Sequence, residues 1–426
     1  MNLIEEMTVL ARQARTASHA LTRLTTDEKN RCLRAMADAL EGDAAKIRAA
    51  NALDLEAGEK AGLSAAMLDR LKLDDRRIQG MAKGLREVAA LEDPVGRLLD
   101  ARTRPNGLKL QKLATPIGVV VIIYESRPNV TADAAGLCFK SGNATILRGG
   151  KEAIHSNGII AETLVTAGRR TLPVFPAHAI QLVATTDRAA IPALLSLTDY
   201  VDLCMPRGGE GLIRAVADCS KVPVIKHYKG ICSVYVDRDA DPAMATAVAV
   251  NSKCHRPGVC NAIETLYVDR AAADAVLPQL AGALWEQGVE LRGDPDTVTR
   301  LGNLAPAGKL KPATEEDWHT EYLSLILNVR LVNGADEAIG LINEFGSHHS
   351  DAIVTKNEAT AKRFLNEVDS AAVYWNASTR FTDGGEFGMG AEIGISTDKV
   401  GARGPMGLAE LTSYKWVALG AGQIRG

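Results

Sequence analysis

Residues 251–269 read NSKCHRPGVCNAIETLYVD and place Cys254 and Cys260 six positions apart among cationic side chains. Such a stretch could bind a metal, form a disulfide or supply a nucleophilic thiol. Structural zinc needs four ligands, usually from two closely spaced cysteine pairs, and no second pair lies near this one in the sequence. The chain has seven scattered cysteines, which is typical of reduced thiols in a cytoplasm and disfavours a disulfide. Nucleophilic attack is the interpretation that the pattern favours.

Cys260 is a plausible nucleophile because Lys253, His255 and Arg256 put positive charge next to it in the sequence. Nearby positive charge stabilises a thiolate and lowers the pKa of a thiol below its usual value of about 8.5. The alternative is that both cysteines are buried, unreactive side chains, which is common for free cysteines. The sequence by itself gives neither His255 nor Asn261 a catalytic role.

A glycine turn offers a candidate anion site. The apolar segment ATIL leads into Arg148, Gly149, Gly150 and Lys151 at the start of a helical pattern. Backbone N–H groups at a helix start, together with two basic side chains, suit a phosphate. Two glycines can equally form an ordinary turn, so both interpretations stay open.

A second glycine turn, PRGGEGLIRAV, places Gly208, Gly209 and Gly211 before a predicted helix. It contains G-x-G, but Arg214 stands where the dinucleotide-binding pattern G-x-G-x-x-G has its last glycine. The turn is therefore a weak cofactor signal and not a standard Rossmann signature.

Length and composition define the setting of these residues. At 426 residues and 45.3 kDa, the chain is expected to form two domains, or two with a small appendage. A formal charge of −3 gives no electrostatic reason to expect a nucleic acid or a membrane surface as partner. Glu5 and Glu6 stand where a secretion signal would have positive charge, and the apolar run Ile117–Ile123 is far shorter than the roughly 20 residues of a membrane helix. We expect a cytoplasmic protein that acts on a small molecule.

The elements that must position the thiol follow from the hydrophobic pattern. Helical periodicity dominates from about residue 5 to 90, and from Leu108 β-branched strands alternate with helical stretches. This alternation predicts an α/β fold in which helices cover both faces of a parallel sheet. Asp241 as N-cap and Pro242 at the first helical position predict a helix before Cys260, and ETLYVD predicts a strand after it. We therefore expect Cys260 on a short connection, where its side chain can face a cleft.

Several long segments carry a resemblance to a known family. They are PIGVVVIIYESRPNVTADAAGLCFKSGNATILRGGKEAIHSN, the stretch around Cys260, DWHTEYLSLILNV, GSHHSDAIVT, and NASTRFTDGGEFGMGAEIGIST with the later ARGPMGLAELTSYKW. In this order, and over almost the whole chain, they closely resemble the gamma-glutamyl phosphate reductases, also called glutamate-5-semialdehyde dehydrogenases. These enzymes are the proline-biosynthetic branch of the aldehyde dehydrogenase superfamily.

The resemblance implies a fold, a reaction and partners. The fold is aldehyde dehydrogenase-like, with a cofactor-binding domain (residues 1–108 and 126–228), a catalytic domain (229–395) and an oligomerisation hairpin and C-terminal arm (109–125 and 396–426). The reaction is the NADPH-dependent reduction of L-glutamyl 5-phosphate to L-glutamate 5-semialdehyde and phosphate through a cysteine thioester. It is the second step of proline biosynthesis from glutamate. The partners implied are a second copy of the chain, in a dimer or tetramer, and glutamate 5-kinase in a transient contact; no metal, nucleic acid or membrane is implied.

Carried over residue by residue, the resemblance also assigns roles. Cys260 aligns with the superfamily nucleophile, and Glu321 with the glutamate that touches the nicotinamide ribose. Arg148 falls where the superfamily commonly has a lysine at the adenosine ribose, and Lys151 where NAD-preferring members often have a glutamate, so the two cations suit the 2′-phosphate of NADPH. Together with the glycines of the two turns, the predicted cofactor-binding set is Arg148, Gly149, Gly150, Lys151, Gly208, Gly209 and Glu321.

Two further roles stay open at this point. Ser126 or Asn129 is expected to complete an oxyanion site with the backbone N–H of Cys260. Arg127, Arg380 and Lys229 are candidates for binding the carboxylate or phosphate of an anionic substrate.

One departure from the hydrolytic aldehyde dehydrogenases bears on the reaction. Those enzymes place a glutamate general base in the segment before the cysteine, where this sequence has Lys226, His227, Tyr228 and Lys229. Without that carboxylate water is not activated, so a thioester can be met by hydride or phosphate instead. The rival interpretations are an enzyme that oxidises another semialdehyde and a non-catalytic scaffold that binds a partner through its C-terminal arm.

Overall fold

A computed structural model of the protein describes residues 2–425. The chain forms two compact units. The first unit contains the residues up to Lys226, Gly388–Gly394 and the segment from Met406 onward, and the second contains His227–Phe387 and Ile395–Pro405.

Five helices open the first unit and confirm the helical pattern predicted for residues 5–90. Two of them begin with capping boxes, Asn2 with Glu5 and Thr25 with Glu28, in which side chains and backbone N–H groups bond reciprocally. The helices of the chain are α1 (Leu3–Leu21), α2 (Thr26–Gly42), α3 (Ala44–Lys60), α4 (Ala65–Leu71), α5 (Asp75–Ala90), α6 (Asn129–Lys140), α7 (Ile154–Thr171), α8 (Ala190–Leu195), α9 (Glu210–Cys219), α10 (Pro242–Cys254), α11 (Ala273–Glu286), α12 (Pro295–Leu301), α13 (Glu315–Trp318), α14 (Ala335–Phe345) and α15 (Glu358–Glu367).

The strands belong to four sheets. In chain order they are β1 (Leu98–Thr103), β2 (Lys109–Pro116), β3 (Val119–Tyr124), β4 (Ala144–Arg148), β5 (Ile180–Leu182), β6 (Leu203–Arg207), β7 (Cys232–Val236), β8 (Ile263–Asp269), β9 (Glu290–Gly293), β10 (Leu310–Pro312), β11 (Ile326–Val332), β12 (Ser350–Val354), β13 (Ala372–Trp375), β14 (Gly394–Ser396), β15 (Gly404–Met406) and β16 (Thr412–Leu419).

A four-stranded parallel sheet forms the core of the first unit, in the order β5-β4-β3-β6. Every residue of β3 is buried, as the apolar run VVVIIY predicted. Because β3 lies between β4 and β6, the loops that follow these three strands leave the same edge of the sheet next to one another.

A separate antiparallel sheet of the first unit has the order β1-β2-β16. The resemblance implied a hairpin at residues 109–125, and the observed sheet differs from that expectation in one respect. β2 pairs with β1 and β16, whereas β3 belongs to the parallel sheet. The buried, uninterrupted apolar pattern of β3 explains the difference, because an edge hairpin would leave one face of that strand in solvent.

The second unit contains a seven-stranded sheet in the order β10-β9-β11-β8-β7-β12-β13, and all of its pairings are parallel. Its central strands β7, β8 and β12 are buried along their whole length. The predicted α/β class is thus confirmed. Among residues 2–425, no helix is both long and apolar enough to cross a membrane.

Candidate active site

Cys260 lies in the short connection between α10 and β8, as the sequence predicted. Asp241 caps α10 by accepting from the N–H groups of Ala243 and Met244, and Pro242 is the first helical residue. Cys260 is partly exposed, and within residues 2–425 neither it nor any of the other six cysteines forms a disulfide. We call residues 255–262 the cysteine loop. Because α10 ends directly before this loop and the buried strand β8 starts directly after it, its backbone is anchored at both ends.

Gly230, just before β7, connects the cysteine to Glu321. Its backbone N–H donates to Glu321 Oε1 at 2.9 Å. Its Cα faces the backbone of Cys260 so closely that a side chain at this position would overlap the Cys260 carbonyl. Only glycine therefore lets the strand approach the nucleophile this closely. The structure brings together two residues that the sequence assigned to different tasks, the nucleophile and the candidate ribose-binding glutamate.

Arg380 lies beside the cysteine loop through a set of backbone contacts. Asn261 Nδ2 donates to the carbonyl oxygens of Thr382 at 2.9 Å and of Arg380 at 3.5 Å, and Thr379 Oγ1 donates to the Asn261 carbonyl at 2.7 Å. Sequence reasoning gave Asn261 no role, and the structure shows that it ties the segment 379–382 to the cysteine loop.

The electrostatics of Arg380 are unusual for an arginine. Burial lowers the pKa of its guanidinium and nearby Arg256 lowers it further, whereas Asp383 and Cys260 partly offset the effect. Its Nε is buried and has no hydrogen-bond partner within the described chain. A cation of this kind, next to the candidate nucleophile, can bind an anion and can stabilise a thiolate.

Lys253 does not provide the positive charge that the sequence suggested. Its ammonium group lies 2.5 Å from Glu264 Oε2, and neither side chain is exposed to solvent. Lys253 Nζ also donates to the Ile263 carbonyl at 2.9 Å. Burial lowers the pKa of Lys253 and raises that of Glu264, and each charge opposes the shift of the other. The charge of Lys253 is thus compensated locally, whereas the pKa of Arg380, lowered by burial, is partly restored by the charge of Cys260.

In the first unit, the candidate cofactor residues converge at the carboxyl edge of the parallel sheet. Ser126 follows β3, Gly149 and Gly150 follow β4, and Gly208 and Gly209 follow β6. A Cβ on Gly150 would lie 3.3 Å from the Ser126 backbone nitrogen, so the first two loops are in contact. The loops after neighbouring parallel strands are where α/β sheets bind their ligands.

Arg148 and Lys151 have different surroundings at this edge. Arg148 is nine-tenths buried, and its terminal nitrogens donate to the carbonyls of Gly149 and Thr186, both at 3.0 Å. Burial lowers the pKa of Arg148, Glu152 and Asp187 oppose the shift and nearby Arg188 adds to it. Lys151 is exposed at the start of a 3-10 turn, residues 151–153. Arg148 therefore holds the turn in place, while Lys151 extends from it.

Arg188 is a basic residue at this edge that sequence reasoning missed. It is exposed, and its charge acts on Arg148 although the two residues are 40 positions apart. The signal that could have found it is the segment TTDRAA, which follows β5 as RGGK follows β4.

The second glycine turn is occupied by a side chain of the same unit. The N–H of Gly209 donates to Glu125 Oε2 at 3.0 Å, and a Cβ on Gly208 would lie 2.6 Å from the Glu125 carboxyl carbon. Gly209 is the N-cap of α9, so the carboxylate lies at the positive end of that helix. Gly211, expected before the helix, lies inside it.

Four predicted residues remain, three after β3 in the first unit and one before β7 in the second. Ser126 is buried and Arg127 exposed in the loop after β3. Asn129 opens α6, and its Nδ2 donates to Asp133 Oδ2 at 3.0 Å. Lys229 is partly buried directly before Gly230 in the second unit. Within residues 2–425, no group of three or more His, Cys, Asp or Glu side chains is arranged to hold a metal ion.

Comparison with known proteins agrees with this arrangement. The model of the aldehyde dehydrogenase family matches residues 4–315. The chain belongs to the aldehyde dehydrogenase family.

Two solved structures place it more narrowly. The crystal structure of gamma-glutamyl phosphate reductase from Thermotoga maritima is 43% identical, the match covers 99% of this chain and 100% of that chain, and the TM-score is 0.95. Gamma-glutamyl phosphate reductase from Saccharomyces cerevisiae is 33% identical over 99% of this chain and 98% of that chain, with a TM-score of 0.53. An acetylating aldehyde dehydrogenase from Geobacillus thermoglucosidasius, 20% identical over 100% and 98% of the two chains with a TM-score of 0.66, shares the fold. The resemblance drawn from the sequence motifs is confirmed.

Proposed function

We propose that this chain reduces L-glutamyl 5-phosphate to L-glutamate 5-semialdehyde and inorganic phosphate with NADPH, the second step of proline biosynthesis from glutamate. The observation that carries the proposal is the full-length similarity to gamma-glutamyl phosphate reductase, at 43% identity. A partly exposed thiol on an anchored loop supports it, because that is what covalent catalysis on an activated carboxyl group requires.

The chain's own residues suit a two-step reaction. The Cys260 thiolate attacks the acyl carbon, the carbon–oxygen bond to phosphate breaks, and inorganic phosphate leaves with the electron pair, which gives a thioester. Bound NADPH supplies the hydride that reduces the thioester carbon. When the carbon–sulfur bond breaks, the aldehyde is released and the thiolate is restored. Covalent capture divides one difficult step into two easier ones and holds the carbonyl in place for the second.

The surroundings of Cys260 support reduction over hydrolysis. The segment from Lys226 to Lys229 contains no carboxylate. Glu264, on β8 four residues after Cys260, is fully buried against Lys253 and is not placed to take a proton from water. A thioester at Cys260 would then persist until hydride arrives.

The residues at the carboxyl edge of the first sheet fit a phosphorylated dinucleotide. The buried Arg148 has an Nε without a hydrogen-bond partner within the described chain, and the exposed Lys151 and Arg188 carry positive charge beside it. Arg148 and Lys151 are the two cations proposed to lie at the adenosine ribose, and with Arg188 they favour the 2′-phosphate of NADPH over NADH. Gly149, Gly150, Gly208 and Gly209 would let the cofactor approach the backbone, and Glu321 would bind the nicotinamide ribose.

Substrate binding calls for cations and for a donor to the oxyanion. Arg380 is our first candidate for binding the substrate's phosphate or carboxylate, because the charge of Cys260 already affects its pKa. Arg127 and Lys229 are further candidates. Ser126 or Asn129, with the Cys260 N–H, would stabilise the oxyanion. Asn129 already donates from its amide to Asp133, which favours Ser126 as the donor to the oxyanion.

The sheet β1-β2-β16 is the proposed oligomerisation element of a dimer or tetramer. Tyr414, Trp416 and Leu419 of β16 are about half exposed, which is typical of a surface that a second copy covers. The boundaries expected from the sequence for the cofactor, catalytic and arm regions, a transient contact with glutamate 5-kinase and a cytoplasmic location also stay proposals. The seven cysteines, none of which forms a disulfide within residues 2–425, support the last.

The reverse reaction tests the function. Purified protein should reduce NADP⁺ with glutamate 5-semialdehyde only when phosphate or arsenate is present, and Cys260→Ala should abolish the activity. Cys254→Ala, six residues away, is the matched control and should stay within about twofold of the unchanged enzyme. Equal rates with and without phosphate would overturn the proposal in favour of a hydrolytic semialdehyde dehydrogenase.

A further inference from the structure

Cys232 contacts the backbone of the candidate nucleophile Cys260, and the sequence did not assign it any role. It is the first residue of β7 and is fully buried. Its Sγ donates to the carbonyl oxygen of Cys260 at 3.2 Å. The same oxygen is the atom that a side chain at Gly230 would overlap, so residues 230 and 232 together enclose the Cys260 carbonyl.

His349 is the second neighbour of the Cys232 sulfur. Its Nδ1 lies 3.7 Å from Sγ and 2.8 Å from Ser350 Oγ. Burial lowers the pKa of His349 to about 3, with a smaller contribution from His227, so the imidazole is neutral near pH 7. The nearer serine hydroxyl can satisfy Nδ1, which leaves the single thiol proton of Cys232 for the Cys260 carbonyl.

The thiol of Cys232 stays protonated in this place. Burial raises its pKa well above 9.0, and the charges of Asp351 and Cys260 raise it further. A protonated thiol is a hydrogen-bond donor and a poor nucleophile. This argues for a constant donor and against a second attacking sulfur.

The support extends from His349 to the far side of the cysteine loop. Ser350 Oγ lies 2.6 Å from Thr382 Oγ1, which lies 2.7 Å from the Tyr374 hydroxyl. The carbonyl of Thr382 in turn accepts from Asn261, the residue after the nucleophile. The network therefore holds the carbonyl of Cys260 through Cys232 and the side chain of Asn261 through Thr382.

We propose that Cys232, held against His349, is a positioning residue that fixes the peptide carbonyl of Cys260 and thereby the direction of its thiol. The kinetic test of this inference rests on the proposed function, because it measures that activity. The contacts of Cys232 do not depend on it. A carbonyl held by a donor fixes the backbone torsion of its residue, and a displacement of about 1 Å in a reacting group can cost on the order of 100-fold in rate.

Two substitutions test the proposal. Cys232→Ala removes the donor, and we expect kcat to fall at least about tenfold while the KM for NADP⁺ stays within about twofold. Cys232→Ser keeps a donor of similar size and should restore kcat to within about threefold. Cys204→Ala, which removes another fully buried thiol on β6 of the first unit, is the control for the lost volume and should leave kcat unchanged.

A readout that does not need turnover separates this inference from the proposed function. The rate of Cys260 alkylation by iodoacetamide, followed by peptide mass spectrometry against pH, should change in Cys232→Ala and match the unchanged enzyme in Cys232→Ser. Because serine is only slightly smaller than cysteine, this variant gives an answer even if the alanine variant does not fold. If alanine and serine lower kcat and alkylation equally, or if neither changes them, the positioning role is excluded. A product two mass units lighter, with Cys232 joined to Cys260, would also overturn it by showing a redox role instead.

Discussion

The Cα of Gly230 faces the carbonyl oxygen of Cys260 across a gap that has no room for a methyl group. Crowding, and not a left-handed backbone, excludes side chains at this position, because Gly230 has no positive φ. In Gly230→Ala the cysteine loop or the start of β7 must shift, and we expect kcat to fall by about 10- to 100-fold. Gly282→Ala is the control: it lies in α11 with open space at its Cβ, so activity should be unchanged and stability should rise by up to about 1 kcal/mol. Full activity in Gly230→Ala would show that the contact has no bearing on catalysis.

Arg380 should act on the anionic substrate and not on the cofactor. Replacing it by methionine removes charge-assisted hydrogen bonds that contribute about 1.5–3 kcal/mol each, so we expect the KM for phosphate or for glutamate 5-semialdehyde to rise by tenfold or more. The KM for NADP⁺ should not change. Arg363→Met, an exposed position paired with Glu367 in α15, is the control. A rise in the NADP⁺ KM alone would assign Arg380 to the cofactor instead.

Lys151 should discriminate between the two nicotinamide dinucleotides. Because its exposed ammonium group is proposed to face the 2′-phosphate, Lys151→Glu should raise the KM for NADPH at least about tenfold and leave that for NADH nearly unchanged. Arg188→Ala should act in the same direction and more weakly. Lys60→Glu, another exposed lysine of the first unit, controls for a general change of charge. Equal effects on both cofactors would argue against a phosphate contact.

Two buried groups next to Cys232 give opposite dependences of stability on pH. Burial lowers the pKa of His349 from 6.5 to about 3, so below pH 6.5 the unfolded chain binds a proton that the folded chain does not, and stability falls. Burial raises the pKa of Asp351 from 3.8 to about 7, so below that value the folded chain binds the extra proton and stability rises. The two effects offset each other over the range that they share, from pH 6.5 down to 3.8.

Asp351→Asn removes one of these opposing effects: its amide oxygen can still accept from the Ser233 N–H, and its amide nitrogen can donate to the Ser370 hydroxyl oxygen. We then expect urea unfolding at about pH 7, 6 and 5 to show that the free energy of unfolding falls as the pH is lowered. The fall should be steeper than in the unchanged protein by about 1 kcal/mol per pH unit. The exposed Asp336→Asn should not change the slope. Parallel curves for Asp351→Asn and the unchanged protein would mean that Asp351 is ionised in the folded state.

The sequence predicted the elements better than the surroundings of the thiol. Periodicity and caps located the helices before residue 90, the helix that starts at Pro242 and the strand after Cys260, because these features depend on neighbours in the chain. The contacts of Lys253 with Glu264 and of Cys232 with Cys260 depend on how strands pair, which no local pattern encodes. For the same reason Lys253 was counted with His255 and Arg256 as a cation near Cys260, although Glu264 compensates its charge. The effect of the Cys260 charge on Arg380, 120 positions later, could not be read from the sequence.

The pairing of β16 with β2 has a consequence for how the chain is made. Residues 412–419 complete a sheet whose other two strands are synthesised about 300 residues earlier. Until they leave the ribosome, the open edge of β2 is a template for any other nascent strand. Biosynthesis therefore leaves this edge open to mispairing until residues 412–419 have been made, and a chaperone that shields β2 would act during that interval.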